Sequence, residues 1–389
     1  MVSVDCVAAS KLDSHWLIVR GLKHPALPRK HLAPPERGNQ NPMNLIPFSA
    51  AALVLSGFAV ASETDYSSLD RDIEALVSGR LAENTGPSVS GYVQVRYRNS
   101  SDVAGSATPA TTNDLGGFDI PRARVSFKGE REGYGYKVQV DFTNGSSLKD
   151  AYISIPVGEH SIRVGILHAG ISRNGMNSSS KLFFIDRSEI GNLFDNRDTG
   201  AVFRGKFDTL ALFLSLTNGT DGTGDELMSA VRVAFDFMGA GVGKVEGAYG
   251  GADELGGTVA AAIYDDGDSD DGSAVLIEAH VASAQFSAGL ELFDADTLGV
   301  SAAPGSSMAV DDATAMTLYG TYMLTPDQWE LGVRFQDLDD ADDTTVIDLG
   351  VNRYLDGHKL KYSIGYRSIS SDLAANEADT LQVQLQVAF

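Results

Sequence analysis

Cysteine is almost absent from the 389 residues: the only one is Cys6. Neither a disulfide framework nor a cysteine-based metal site can be built from it. Long apolar runs are scarce as well. One stretch stands out, MNLIPFSAAALVLSGFAVAS from Met43 to Ser62, and its small residues Ala59 and Ala61 read as a secretory signal cleaved after Ala61. That segment carries no Lys or Arg at its start, so a membrane anchor is the competing reading. The 42 residues before Met43 are polar and Pro-rich, and read as a non-native extension from an upstream start codon.

Catalytic patterns are missing too. Past the signal there are four histidines, His160, His168, His280 and His358, with no pair at metal spacing and no Gly-x-Ser-x-Gly elbow. No enzyme activity and no cofactor is expected. Positive charge is scarce in the second half: residues 208–389 hold 7 Lys and Arg against 31 Asp and Glu, whereas residues 89–207 hold 15 against 12. The densest acidic runs are DDGDSDDG at Asp265–Gly272 and DLDDADD at Asp337–Asp343. Asp266, Asp268 and Asp270 have the spacing of a calcium loop, but Asp271 stands at its glycine position and Ile277 where its last Glu belongs. Solvated acid is the stronger reading, and no metal site is expected.

What the chain does have is alternation. Residues 62–88 begin with Leu69, Ile73, Leu76, Val77 and Leu81 at helical spacing behind a possible cap at Ser68, a short amphipathic helix and linker. From residue 89 to 389 the period changes to two. Tyr136, Val138, Val140 and Phe142 alternate with Lys137, Gln139 and Asp141. Trp329, Leu331, Val333 and Phe335 alternate with Glu330, Gly332 and Arg334. The terminal LQVQLQVAF sets Leu381, Val383, Leu385, Val387 and Phe389 against Gln382, Gln384 and Gln386.

Short turns, such as 131–134, 157–160, 206–209 and 325–328, alternate with long connections at 99–117, 169–199, 295–313 and 370–379. Apolar-out, polar-in strands joined by short turns on one side and long loops on the other describe a transmembrane β-barrel. Lipid leaves no backbone group unpaired, so the sheet must close. Seventeen candidate strands can be counted; the weakest, KVEGAY at Lys244–Tyr249, reads as part of a connection on the short-turn side, leaving sixteen. At that number the lumen holds water rather than packed side chains.

Alternation also sorts the faces. In FDIPRARVSFKG, Ala123, Val125 and Phe127 face lipid, so Arg122, Arg124, Ser126 and Lys128 face the lumen. Arg96, Arg163, Arg204 and Lys206 join them. The connection at 169–199 is too apolar at Leu182, Phe183, Phe184, Ile185, Leu193 and Phe194 for a solvated loop, and is expected to fold into the barrel. It would present Arg187, Arg197 and Lys181 to the path, with Asp186 and Asp198 holding it by pairing with neighbouring cations.

FDIPRARVSFKG, YKVQVDF with LKDAYISI, IRVGILHAGIS, and FFIDRS with RDTGAVFRGKF together resemble the phosphate-selective porins of types O and P. The motif-like part is 118–207. The resemblance implies an all-β, sixteen-stranded trimeric porin of the Gram-negative outer membrane, narrowed by an inserted third loop and lined by an arginine path. Its partners would be small hydrophilic or anionic solutes such as phosphate, outer-membrane lipid and copies of itself, with no nucleic acid. The competing reading is a structural or adhesive barrel without transport. The family's lysine after strand five is replaced here by Leu167, His168 and Ala169, which points to weak anion preference.

Overall fold

A computed structural model describes residues 86–389 apart from the connecting segments 103–115, 144–146, 220–226, 266–272, 298–310, 341–342 and 373–376. The expected extension, signal and amphipathic helix lie outside the described residues, as does most of the Asp265–Gly272 run. Sixteen antiparallel strands close on themselves. The first eight are β1 (Ser88–Asp102), β2 (Gly116–Arg131), β3 (Tyr134–Asp141), β4 (Ser147–Val157), β5 (His160–Leu167), β6 (Asp198–Phe207), β7 (Leu210–Thr217) and β8 (Met228–Met238). The others are β9 (Gly256–Asp265), β10 (Ser273–Ala282), β11 (Phe286–Thr297), β12 (Asp311–Thr325), β13 (Trp329–Asp337), β14 (Thr345–Asp356), β15 (Leu360–Ser370) and β16 (Ala378–Ala388).

The period of two becomes two surfaces. On β16, Leu381, Val383 and Val387 are exposed on the outside while Gln382, Gln384 and Gln386 are buried inside. The same outward apolar belt continues with Val231, Val233 and Phe235 on β8, Val275 and Ile277 on β10, and Ile347, Leu349 and Val351 on β14. No helix among the described residues is long and apolar enough to cross a membrane. The strands are the spanning elements.

The closing seam joins β1 to β16 in register from Tyr92↔Ala388 to Asp102↔Ala378. It ends on a reciprocal pair in which the Gly91 amide donates to the Phe389 carbonyl and the Phe389 amide to the Gly91 carbonyl, each at 2.9 Å. The terminal aromatic ring lies over Gly91, where a Cβ would stand 2.6 Å from the ring and 2.5 Å from the Arg124 carbonyl oxygen. Tight turns mark the rim shared by this seam; between β2 and β3, Glu132 and Gly133 take φ of 53° and 83°, the hairpin conformation that glycine tolerates best.

Replacing Gly91 with Val should cost about 1–3 kcal/mol by overpacking at the seam. The temperature at which the folded barrel loses its fast gel mobility should drop; an unchanged transition would show that the terminal ring can move aside freely.

Candidate functional site

The 30 residues 168–197 between β5 and β6 fold into the lumen. They form two short helices, α1 (Arg173–Met176) and α2 (Glu189–Leu193), with a 3-10 turn at Ser179–Lys181 between them. Each helix is started by a serine: Ser172 Oγ accepts from the Gly175 amide at 3.2 Å, and Ser188 Oγ from the Gly191 amide at 3.0 Å. The helices cross at these glycines; a Cβ on Gly191 would lie 2.4 Å from Asn174 Oδ1, and one on Gly175 2.7 Å from the Phe194 carbonyl oxygen.

The barrel wall is shaped to receive this loop. Gly332, Gly350 and Gly365 stand opposite one another on β13, β14 and β15, a trough without side chains. Phe183, Phe184 and Ile185 fill it: a Cβ on Gly332 or Gly350 would come within 2.7 or 2.8 Å of the Phe183 ring, and one on Gly365 within 3.2 Å of Ile185. Nearer the long-loop rim, Ile171, Ile190 and Leu193 pack on an inward apolar patch of Met228, Ala230, Ala262, Leu276, Phe293 and Ala315. These lumen positions break the apolar-out, polar-in rule, and that breach is where the loop docks.

A second segment enters from the opposite rim. The connection 239–255 between β8 and β9 carries Glu246 into the lumen, where it is 1% exposed. One carboxylate oxygen accepts from the Phe183 and Phe184 amides at 2.9 and 3.1 Å, and the other from Asn174 Nδ2 at 2.8 Å and Arg334 Nη1 at 3.2 Å. Arg334 also holds Asp348 at 2.8 Å and stacks 4.4 Å over the Phe184 ring. Arg367 pairs with Glu189 at 2.6 Å and Asp348 at 3.3 Å, and Lys361 Nζ donates to the Leu182 carbonyl at 2.6 Å. The lumen between β8 and β15 is thereby filled, with Thr317, Glu330, Gln336 and Asn352 almost wholly buried.

Most of the expected cations lie on the other side, along β1–β7. Arg122, Arg163 and Arg204 are half-buried on the inner wall, and Lys128 and Lys206 are exposed toward the tight-turn rim. Arg122 donates to Gln94 at 3.1 Å, Arg163 lies 4.9 Å from the Tyr152 ring and Arg204 5.2 Å from the Phe213 ring. None of these five forms an ion pair among the described residues. Lys181 is exposed at the edge of the inserted loop. Lys244, on the second inserted segment, completes the group. Burial and the fields of Arg204, Arg163, Lys181 and Arg173 push its ammonium below the ordinary lysine range. Lys244 and Lys181, from the two inserted segments, thus lie near Arg163 and Arg204 of the wall, and none of the four forms an ion pair among the described residues.

Other expected residues are neutralised in place. Arg96 faces the lumen as read from the alternation, but its fork is taken by Asp119 at 2.6 Å and Asp186 at 3.2 Å. Arg124 is taken by Asp141 at 2.7 Å. Arg187 is not presented to the path: it is 1% exposed, donates to the Asn174 and Asn177 carbonyls, and pairs with Asp195 at 3.0 Å. Arg197 is held by Asp195 at 3.0 Å and Asp150 at 3.4 Å. Asp186 does anchor the loop, through Arg96 and through Gln382 at 2.8 Å. Among the described residues Asp198 pairs with no cation; it accepts from the Thr199 and Gly219 amides at 2.6 and 2.7 Å and so shapes the start of β6. Asp195, absent from the sequence reading, performs the pairing role expected of Asp198.

Burial opposes the charge on Asp186, yet Arg96, Arg367 and Arg122 with the Gln382 bond outweigh it and hold the carboxyl at about 2. Asp195 is likewise disfavoured by burial and held below the usual carboxylate range by Arg187 and Arg197. Glu246, Lys244 and Asp150 were also missed. A glutamate between small residues in KVEGAY, on a connection too long for a simple turn, was the available signal.

A closed barrel with an apolar outer belt, cations on its inner wall and a lumen narrowed by an inserted loop defines a porin. Residues 93–389 match the family described as phosphate-selective porin O and P, and the chain belongs to that family. No curated protein matches it by sequence. Among solved structures it is similar in fold to a loop-deletion mutant of OmpT, an outer membrane protein of Vibrio cholerae, with 12% identity and a TM-score of 0.51. It is also similar to a triple mutant of the Rhodopseudomonas blastica porin, with 16% identity and a TM-score of 0.52. Each likeness covers 78% of this chain and 100% of the other.

Replacing Gly350 with Leu should expel Phe183 from its trough while leaving the outer belt intact, so single-channel conductance should rise with the barrel still folded. An unchanged conductance would show that the loop reseats. The pH dependence follows from Asp186, whose carboxyl falls from 3.8 to about 2 on folding. Its contribution is present above 3.8 and is lost as pH falls through about 2. Conductance should therefore hold steady from neutrality to about pH 4 and turn noisy only below; loosening at higher pH would assign the anchor to another group.

Proposed function

We infer that this porin works in the outer membrane of a Gram-negative bacterium, as a trimer, and passes small anions such as phosphate in preference to cations. The observation that carries the reading is the convergence of Lys181 and Lys244, on the two inserted segments, with Arg163 and Arg204 on the wall. A passing anion meets charge on both sides at this point. Lys128, Arg122 and Lys206 extend the charge along the wall. Guanidinium groups stay ionised and offer forked donors to an oxyanion, and a hydrated path keeps each contact weak enough for release.

The family supports a solute channel rather than an enzyme. Trimer assembly rests on the family resemblance and on the apolar stripe of Leu69, Ile73 and Leu76. Unheated protein in mild detergent should migrate as a trimer, and migration as a monomer counts against this assembly.

The selectivity is tested at Lys181 and Lys244, the two lysines of this group that belong to no strand. A unit charge about 4 Å from an ion in water-like dielectric is worth about 1 kcal/mol, a factor of about five in local occupancy. Lys181→Glu combined with Lys244→Glu should shift the zero-current potential under a salt gradient toward cation preference. An unchanged potential in a folded channel would show that these charges are only solvated lining.

A further inference from the structure

Behind the inserted loop lies a group of polar side chains that the conduction path does not use. Glu278 and Glu291 face each other across β10 and β11, and His280 follows on the same inner face, opposite Gly289. The three are 1%, 1% and 3% exposed, and one ligating atom from each lies within 4.8 Å of the others. Gly289 contributes no side chain, and a Cβ there would stand 2.4 Å from His280 Nδ1 and 2.3 Å from the Tyr319 ring, so the glycine lets these two rings pack against the strand.

Their hydrogen bonding is incomplete. His280 Nδ1 meets the Tyr319 hydroxyl at 3.2 Å, while Nε2 has no partner. Glu291 Oε2 accepts from Ser188 Oγ at 3.2 Å, while Oε1 has no partner. Glu278 is better satisfied, accepting from the Arg173 amide at 2.6 Å and paired with Arg232. Glu291 has no ion-pair partner among the described residues. A buried carboxylate without a counter-charge and a buried imidazole nitrogen without a bond each disfavour the folded state. One cation between them relieves both.

We propose that Glu278, His280 and Glu291 form a binding site for a first-row divalent transition metal of the zinc type, buried beneath the inserted loop. Two carboxylates and an imidazole are a donor set for such ions, whereas calcium and magnesium take oxygen ligands. With its Nδ1 proton on Tyr319, His280 turns the Nε2 lone pair to the metal, and Tyr319 is the outer partner that fixes the ring. Zinc bonds of about 2.1 Å place ligand atoms about 3.4 Å apart, a modest contraction of the observed cluster. Glu278 also accepts from the backbone at the start of α1 and Glu291 from the serine that caps α2. The metal would thus tie both helices of the constriction loop to the wall. The proposal is independent of the ion preference of the path.

The test counts metal. The barrel is refolded in detergent with zinc, freed of loose ion by brief passage through chelator, and analysed by mass spectrometry alongside Glu291→Gln and His280→Asn. Folding of each is checked by heat-modifiable gel mobility. Wild type should retain about one zinc more per barrel than either folded variant, and zinc should raise the unfolding temperature of wild type alone. Glu291→Gln can keep its bond to Ser188, so it serves if His280→Asn fails to fold. Equal zinc in wild type and variant would assign the metal to surface acids and overturn the proposal. Wild type without zinc would overturn it too, leaving a proton shared by the two glutamates. Magnesium or calcium retained as well as zinc would contradict the assigned metal class.

Discussion

One buried carboxylate holds the constriction together. Glu246 reaches into the lumen from the tight-turn rim and accepts hydrogen bonds from two backbone amides and an amide side chain of the loop that enters from the other rim, with Arg334 of the wall as the fourth donor. Neither inserted segment has a core of its own: α1 and α2 span four and five residues, too short to persist alone. They are stable because the wall supplies the missing surface, a glycine trough for Phe183 and an alanine-rich patch for Ile190 and Leu193. Removing one partner from such a buried, charge-assisted junction is expected to cost about 3–5 kcal/mol, more than a loop of this kind can lose and stay docked.

The junction also divides the electrostatics. On its far side cations and acids cancel in place, Arg334 with Glu246 and Asp348, Arg367 with Glu189, Arg232 with Glu278. On the near side several cations stand without ion-pair partners among the described residues. The second half of the chain is strongly acidic, yet its inward acids are consumed in holding the loop. The cations without ion-pair partners come mostly from the first half, with Lys244 the contribution of the second. Charge that merely docks a loop and charge that lines a path look alike in composition and differ only in what faces them.

This explains how much was legible in the sequence. A barrel wall is a local pattern: the strand period, the turn lengths and the apolar face of β16 can be read from neighbouring residues, and strand number followed. The expectation that Lys244–Tyr249 belongs to a connection was right, but its entry into the lumen was not foreseen. The fate of each arginine depends on register and on distant partners. Arg124 and Arg122 stand two positions apart on one face, and only the pairing of β2 with β3 sets Asp141 opposite the first. Arg187 looked like a path residue because the inserted loop was expected to turn its arginines toward the path; in the fold that loop has an inside, and Arg187 is in it. The inward alanines at Ala230, Ala260 and Ala262 and the aligned Gly332, Gly350 and Gly365 were the readable signs of a docking face.

The central claim is that solutes pass along β1–β7 while the lumen beyond the inserted loop is sealed. Cysteine accessibility tests it directly, since Cys6 is the chain's only native cysteine and can be replaced by serine. With a small charged thiol reagent added during current recording, Arg163→Cys should react promptly and alter the current. Thr317→Cys, 1% exposed in the native protein, should stay unmodified unless Glu246 is also replaced by alanine. Equal, rapid modification at both positions in the otherwise unaltered channel would contradict the account.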